Sequence, residues 1–300
     1  MSFTRSIMLS IAFVSSAGFS SLTLADASHD SSPTFSSAQI TPQITFLQGK
    51  GGNVAALTGD QGTLLIDDDY QDMSTALTDA LAPMGGLDKL TYIINTHWHG
   101  DHTGGNKALG HRATIVAHDN VRKRLLSKQE IKLFNMVSEP YPADALPSVT
   151  YQQRMSLHFN GEEIQLIHLA EGHTDGDTVV IFKQANVVHM GDHFFNGFFP
   201  FVDVTSGGNV LNMAANVATM LTMVNDETVI IPGHGPLAKK ADLAAFHAML
   251  LGTAEEVQKM KREGLSLEAM QEKGLSPKWN SWTKSFLNTK TWIGIIESSL

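Results

Sequence analysis

The chain has 300 residues, 42% of them hydrophobic and 17% charged, with no cysteine and a formal net charge of −9. This is enough apolar sequence for a sizeable core, and the missing cysteine excludes a disulfide framework, thiolate ligands and a thiol nucleophile. An acidic chain without a polybasic block is poorly matched to nucleic acid or an anionic membrane surface.

Arg5 precedes IMLSIAFVSSAGF and SSLTLADA. These are the charged, apolar and small-residue regions of a secretory signal peptide, expected over residues 1–27. The apolar run is too short and too serine-rich to span a bilayer. The mature chain is therefore expected to be periplasmic or secreted, with no membrane attachment after cleavage. Residues 28–42 read as a flexible lead-in, and residues 43–300 as the folded domain with a helical C-terminal extension.

ITFLQ and NVAALTGDQGTLLIDDDY alternate like antiparallel strands, turning at Gly59-Asp60-Gln61-Gly62. QDMSTALTDALAPM has apolar residues at helical spacing. LTYIINT is a buried strand, GGNKALG a short helix, ATIVAH another strand, and NVRKRLLSKQEIKLFNMV a helix. After Pro140, Pro142 and Pro147, SVTYQQRMSLHFNGEEIQLIHLA reads as strands around an Asn160-Gly161 hairpin turn, and DTVVIFKQANVVHMG as a second hairpin. VLNMAANVATMLTMV is helical, ETVIIPGHG is a strand ending in a loop, and the chain from Leu237 is mostly helical. Two groups of strands with helices outside them predict two packed sheets between helical layers.

LTYIINT runs into Thr96-His-Trp-His-Gly-Asp-His-Thr-Gly-Gly-Asn106. In an extended segment His97 and His99 fall on one side, at period two. Gly100 then permits a turn that swings Asp101 and His102 back towards the same centre. Imidazole nitrogens with a carboxylate are a donor set suited to zinc or a similar divalent ion.

His97-x-His99-x-Asp101-His102 resembles the signature of the metallo-β-lactamase superfamily. Glu171-Gly172-His173-Thr174, Met190-Gly191-Asp192 and Pro232-Gly233-His234-Gly235 are similar to its later motifs, in the same order, and Asp67 matches its early aspartate. The resemblance runs from about residue 43 to residue 250. It implies an α/β fold, the αββα four-layer sandwich, here with extra C-terminal helices. It also implies two Zn2+ ions, although imidazole and carboxylate accept iron or manganese as well. His97, His99 and His173 would hold the first ion, Asp101, His102 and His234 the second, and Asp192 would bridge them. Asp67 would brace the histidine loop.

In that family frame the metals would supply an acidified water as nucleophile, and Asp101 would both ligate and act catalytically, orienting the nucleophile and accepting its proton. His99 stands where redox members carry glutamate. The bridging Asp192 and the absent cysteine point to the glyoxalase II, lactonase and cyclase-like branch. The export signal, and the lack of a recognisable glutathione-binding domain after Leu237, set the chain apart from glyoxalase II itself. The expected function is an exported dinuclear-metal hydrolase cleaving an ester, lactone or thioester bond of a small molecule. A β-lactamase is the runner-up, followed by a non-catalytic metal-binding module and a mononuclear iron dioxygenase. HFFNGFFPFVDVTSGGN directly follows Asp192 and is expected to wall the substrate pocket, with His193, Phe195, Asn196 and Phe199 as lining candidates. His118, His158, His168, His189 and His247 fit no ligand motif and are assigned structural roles; Trp279, Trp282 and Trp292 are assigned to packing. Oligomeric state is not encoded in any of these patterns.

Overall fold

Alternation at period two divides each strand's side chains between two faces, and in the central strands of the computed structural model both faces are buried. The structure describes Met1 and residues 33–285 and 287–300. Beyond Met1 the expected signal peptide lies outside the described residues, as does the start of the lead-in. In chain order, β1 (Ser36–Gln39), β2 (Ile44–Gln48), β3 (Val54–Gly59) and β4 (Gly62–Ile66) form an antiparallel run. Helix α1 (Ser74–Leu81) leads to β5 (Leu90–Ile94), the short helices α2 (Gly100–Thr103) and α3 (Asn106–Leu109), β6 (Thr114–His118) and α4 (Asp119–Leu125). The hairpin β7 (Gln129–Ile131) and β8 (Met136–Ser138) precedes β9 (Val149–Tyr151). The second half runs through β10 (Arg154–Phe159), β11 (Glu162–His168), β12 (Thr178–Phe182), β13 (Val187–His189), α5 (Val210–Met223) and β14 (Val229–Ile231). Helices α6 (Lys240–Arg262), α7 (Leu267–Lys273) and α8 (Thr289–Ser298) complete it.

One sheet has the order β1-β2-β3-β4-β5-β6-β9 and the other β10-β11-β12-β13-β14. Ile44, Phe46, Leu64 and Ile66 of the first sheet pack against Ile164, Leu166, Val180 and Phe182 of the second. The alternate residues Leu47, Leu65 and Ile93 turn outward onto Leu77 and Leu81 of α1. Val179, Ile181 and Val188 turn outward onto α5, α6 and α8. The fold is thus the αββα sandwich. Asn160 and Gly161 both take positive φ (51° and 82°), the requirement of a tight two-residue hairpin turn.

Two segments depart from the sequence reading. Ser36–Gln39, within the supposedly flexible lead-in, pairs with β2 from Ser36↔Gln48 to Gln39↔Thr45. Its side chains are all exposed, so backbone hydrogen bonds hold it and no hydrophobic alternation marks it. The helix expected through NVRKRLLSKQEIKLFNMV stops at Leu125. The remainder is the β7–β8 hairpin, turning at Asn135 with φ 52°. Leu133 and Val137 there are exposed while Ile131 is buried, so the apolar residues of this stretch are split between solvent and core and do not share one buried helical face. Among the described residues no helix is long and apolar enough to cross a membrane.

Candidate metal centre

The C-terminal ends of β4, β5, β13 and β14 and the β11–β12 connection deliver Asp67, His97–His102, Asp192, His234 and His173 to one edge of the sandwich. Strand ends suit this task because the strand is held by its ladder while its last residues are released to face the crevice. Two close approaches shape the site. A Cβ on Gly52 would strike the His102 ring, and one on Gly233 would strike Asp192 Oδ1. Asp67 itself takes φ 62°, a left-handed conformation whose strain, about 1–3 kcal/mol, the surrounding bonds must hold.

The donors gather in two groups. His97 Nε2 lies 3.2 Å from His99 Nδ1, and His173 Nε2 lies 2.9 Å from the same atom. His102 Nε2 lies 3.3 Å from His234 Nε2, and Asp101 Oδ2 lies 3.7 Å from the first and 3.3 Å from the second. Asp192 stands between them. Its Oδ2 is 3.3 Å from His173 Nε2 and 3.8 Å from His97 Nε2, while its Oδ1 is 3.1 Å from His102 Nε2 and 3.5 Å from His234 Nε2. All are buried except Asp101 and His234, whose side chains are 19% and 17% exposed and so form the open floor of the site.

The outward nitrogens are held by acceptors. His102 Nδ1 donates to Asp67 Oδ2 (2.7 Å), His173 Nδ1 to the Phe201 carbonyl (2.8 Å) and His99 Nε2 to Asp203 Oδ2 (3.2 Å). Thr96 Oγ1 donates to Asp67 Oδ2 (2.7 Å), which leaves its lone pairs to accept from His97 Nδ1 (3.1 Å). In neutral rings the inward nitrogens therefore carry lone pairs, directed at one another across about 3 Å. Asp192 Oδ1 has no hydrogen-bond partner. Facing lone pairs beside a buried carboxylate are what divalent cations satisfy, and the donor set fits them.

In protein stripped of metal, protons take that place. Burial opposes charge on His102, but Asp192, Asp101 and Asp67 outweigh it and hold the ring well above the usual histidine range. His234 is likewise lifted against its burial, chiefly by Asp192, to about 9. Burial drives His97 well below its usual value, and His173 down to about 4. Metal must displace the protons on His102 and His234, so loading at neutral pH is expected to release about two protons per chain. An indicator dye in weak buffer during a zinc titration reads this; no release would mean that those two rings are already neutral. The linkage has a definite sign. A histidine raised from about 6.5 stabilises the stripped fold below that pH, and the stability is lost as pH climbs through about 9. The melting temperature of stripped protein should fall there.

A cavity of about 320 Å³ opens over the site, lined by His99, Asp101, Asp192 and His234 together with Lys50, Tyr70, Ile131, Phe134, Met136, Phe195 and Phe201. Of the expected pocket residues, Phe195 lines it, its ring stacked on His234 at 5.0 Å. His193 is fully buried beside Asn216, Asn196 donates to the Pro236 carbonyl, and Phe199 stacks on Trp292 in the core. None of these three lines the cavity. Two residues that sequence reasoning missed support the site. Asp203 orients His99, and Asp177 accepts from the His173 and Thr174 amides. A lone acid inside the aromatic run FFPFVDV was the available signal for Asp203.

Residues 73–234 match the family model of the metallo-beta-lactamase superfamily. A type 2 metallo-beta-lactamase of Bacillus cereus is 24% identical over 63% of this chain and 68% of its own length. A hydroxyacylglutathione hydrolase of Haemophilus influenzae is 27% identical over 49% of this chain and 69% of its own. Among solved structures, a metallo-beta-lactamase from Pontibacter korlensis superposes with TM-score 0.59 at 16% identity, covering 73% of this chain and 99% of that one.

Proposed function

The chain belongs to the metallo-β-lactamase superfamily, and from that premise we propose that it is a dinuclear-metal hydrolase opening an ester, lactone or thioester bond in a small molecule. The observation that carries this reading is Asp192, one oxygen turned to each donor group. His97, His99 and His173 would hold one ion and Asp101, His102 and His234 the other, with zinc the first choice and iron or manganese also suited. When bound, the pair supplies Lewis acidity and an acidified water.

The protein's own residues do the rest. Burial pushes the Asp101 carboxyl up, but His102 and His234 outweigh this and hold it well below the usual carboxylate range. It is therefore ionised at the cavity floor. Its Oδ2 faces His102 and His234, which leaves Oδ1 to orient the attacking water and take its proton. Burial and Asp101 raise the Tyr70 phenol, so it stays protonated and can donate to the substrate carbonyl oxygen. Ile131, Phe134, Met136, Phe195 and Phe201 exclude water and receive the apolar part of the substrate. Residues 1–27 serve in this reading as an export signal, so that the substrate is met in the periplasm or outside the cell.

Turnover of a lactone, a thioester and a chromogenic cephalosporin by zinc-loaded protein tests the assignment. We expect the first two to lead, and Asp101→Asn to lower their turnover by about 10²–10⁴-fold with the melting temperature kept. Cephalosporin in the lead would favour the β-lactamase reading, which the similarity to the Bacillus cereus enzyme supports. No turnover of any of the three would leave a metal-binding module. Unchanged hydrolysis by Asp101→Asn would remove its catalytic role.

A further inference from the structure

Beside the metal cavity lies a second one of about 420 Å³, between the β7–β8 hairpin, the 201–205 segment and helices α7 and α8. Ile131 and Phe201 line both, so the two hollows meet across these side chains. The second is amphipathic: Leu133, Phe201 and Ile295 lie alongside Lys132, Lys290 and Gln271. Its one carboxylate, Asp203, is engaged by His99, Thr205 and the Ser206 amide. Among the described residues neither lysine forms an ion pair. In a chain of net charge −9, this concavity is locally cationic.

We infer that the second cavity is a subsite for the remote arm of the substrate, and that this arm is an extended apolar chain ending in a carboxylate. The inference rests on the proposed hydrolase reading for the chemistry at the near end. A short lactone or ester fills no more than the first cavity, whereas an acyl chain crossing Phe201 would use both. Phe201 then contacts the chain at the crossing, and Lys132 and Lys290 receive the terminal charge through charge-assisted hydrogen bonds.

Gly294 gives a clean way to close the subsite. It lines only the second cavity, and a Cβ there would meet a single atom, Gln271 Nε2, at an ordinary 3.5 Å. It lies within α8, where replacing glycine favours the helix. Gly294→Leu should therefore fold and fill the space.

Binding of acetate and octanoate to metal-loaded protein is measured by calorimetry, and hydrolysis of the matching p-nitrophenyl esters is measured alongside. Octanoate should bind wild type more tightly than acetate, and both Gly294→Leu and the double variant Lys132→Gln/Lys290→Gln should lose this preference by roughly tenfold. Gly294→Leu should also cut kcat/KM on the octanoate ester by about tenfold while leaving the acetate ester within about twofold. Octanoate binding that ignores both variants would place the carboxylate at the metals and overturn the subsite. Variant-sensitive octanoate binding without hydrolysis of either ester would keep the subsite and sink the hydrolase reading instead.

Discussion

On the proposed two-ion reading, Asp192→Asn is expected to lower turnover at least about a hundredfold and to reduce bound metal from two ions towards one per chain. The carboxylate faces both donor groups, one oxygen each, and asparagine keeps only one of those oxygens. Its NH₂ must then face one of the groups, where it would donate to an imidazole lone pair and compete with a cation for it. Gly233 lies close against Asp192 Oδ1 with no side chain between them, and a Cβ there would strike that oxygen. The same substitution has a signature in stripped protein. Asp192 leads the charges that lift His102 and His234, so the expected loss of thermal stability as pH passes about 9 should flatten in the variant. Elemental analysis of dialysed protein and a melting series against pH read both effects. Full two-ion loading of Asp192→Asn would end the bridging role.

The contrast between Asp192 and Asp203 shows which parts of this site a sequence can display. Ligand candidates sit at strand ends in short motifs, so residue type and spacing together mark them, and the structure draws all seven into two facing groups. Asp203 acts on His99 from 104 residues away through one hydrogen bond, and no local pattern records that. The phenylalanine run behaves in the same way. Phe195 and Phe201 face the cavity while Phe199 turns to Trp292, a division set by tertiary packing rather than by anything in the run itself. The sandwich was legible because its central strands are short apolar runs buried on both faces, bounded by turn residues. Strand β1 and the β7–β8 hairpin were not, since one has only exposed side chains and is held mainly by backbone pairing, and the other splits its apolar residues between solvent and core. That second oversight matters most for function, because Ile131, Phe134 and Met136 of the hairpin region wall the cavity.

Trp292→Ala is expected to cost about 3–5 kcal/mol of stability, a large effect for a residue outside the candidate metal ligands. Trp292 is fully buried, stacks on Phe199 with ring centroids 5.5 Å apart, and donates its indole N–H to Thr253 Oγ1 at 3.1 Å. It thereby clamps α8 both to α6 and to the segment that runs from Asp192 to Asp203. Truncation leaves a cavity bordered by the 23-residue α6, too rigid to collapse into the space, so little of the lost contact can be recovered. Trp292→Phe keeps a ring against Phe199 and gives up the indole hydrogen bond, worth about 1 kcal/mol, along with some contact area. Denaturant unfolding of the two variants separates packing from hydrogen bonding. Loss of Phe199's support should also loosen Asp203 and hence the orientation of His99, so Trp292→Ala should bind metal more weakly even at temperatures where it is fully folded. A variant that is destabilised as expected yet binds metal like wild type would separate the C-terminal helix from the site and leave it a purely structural prop.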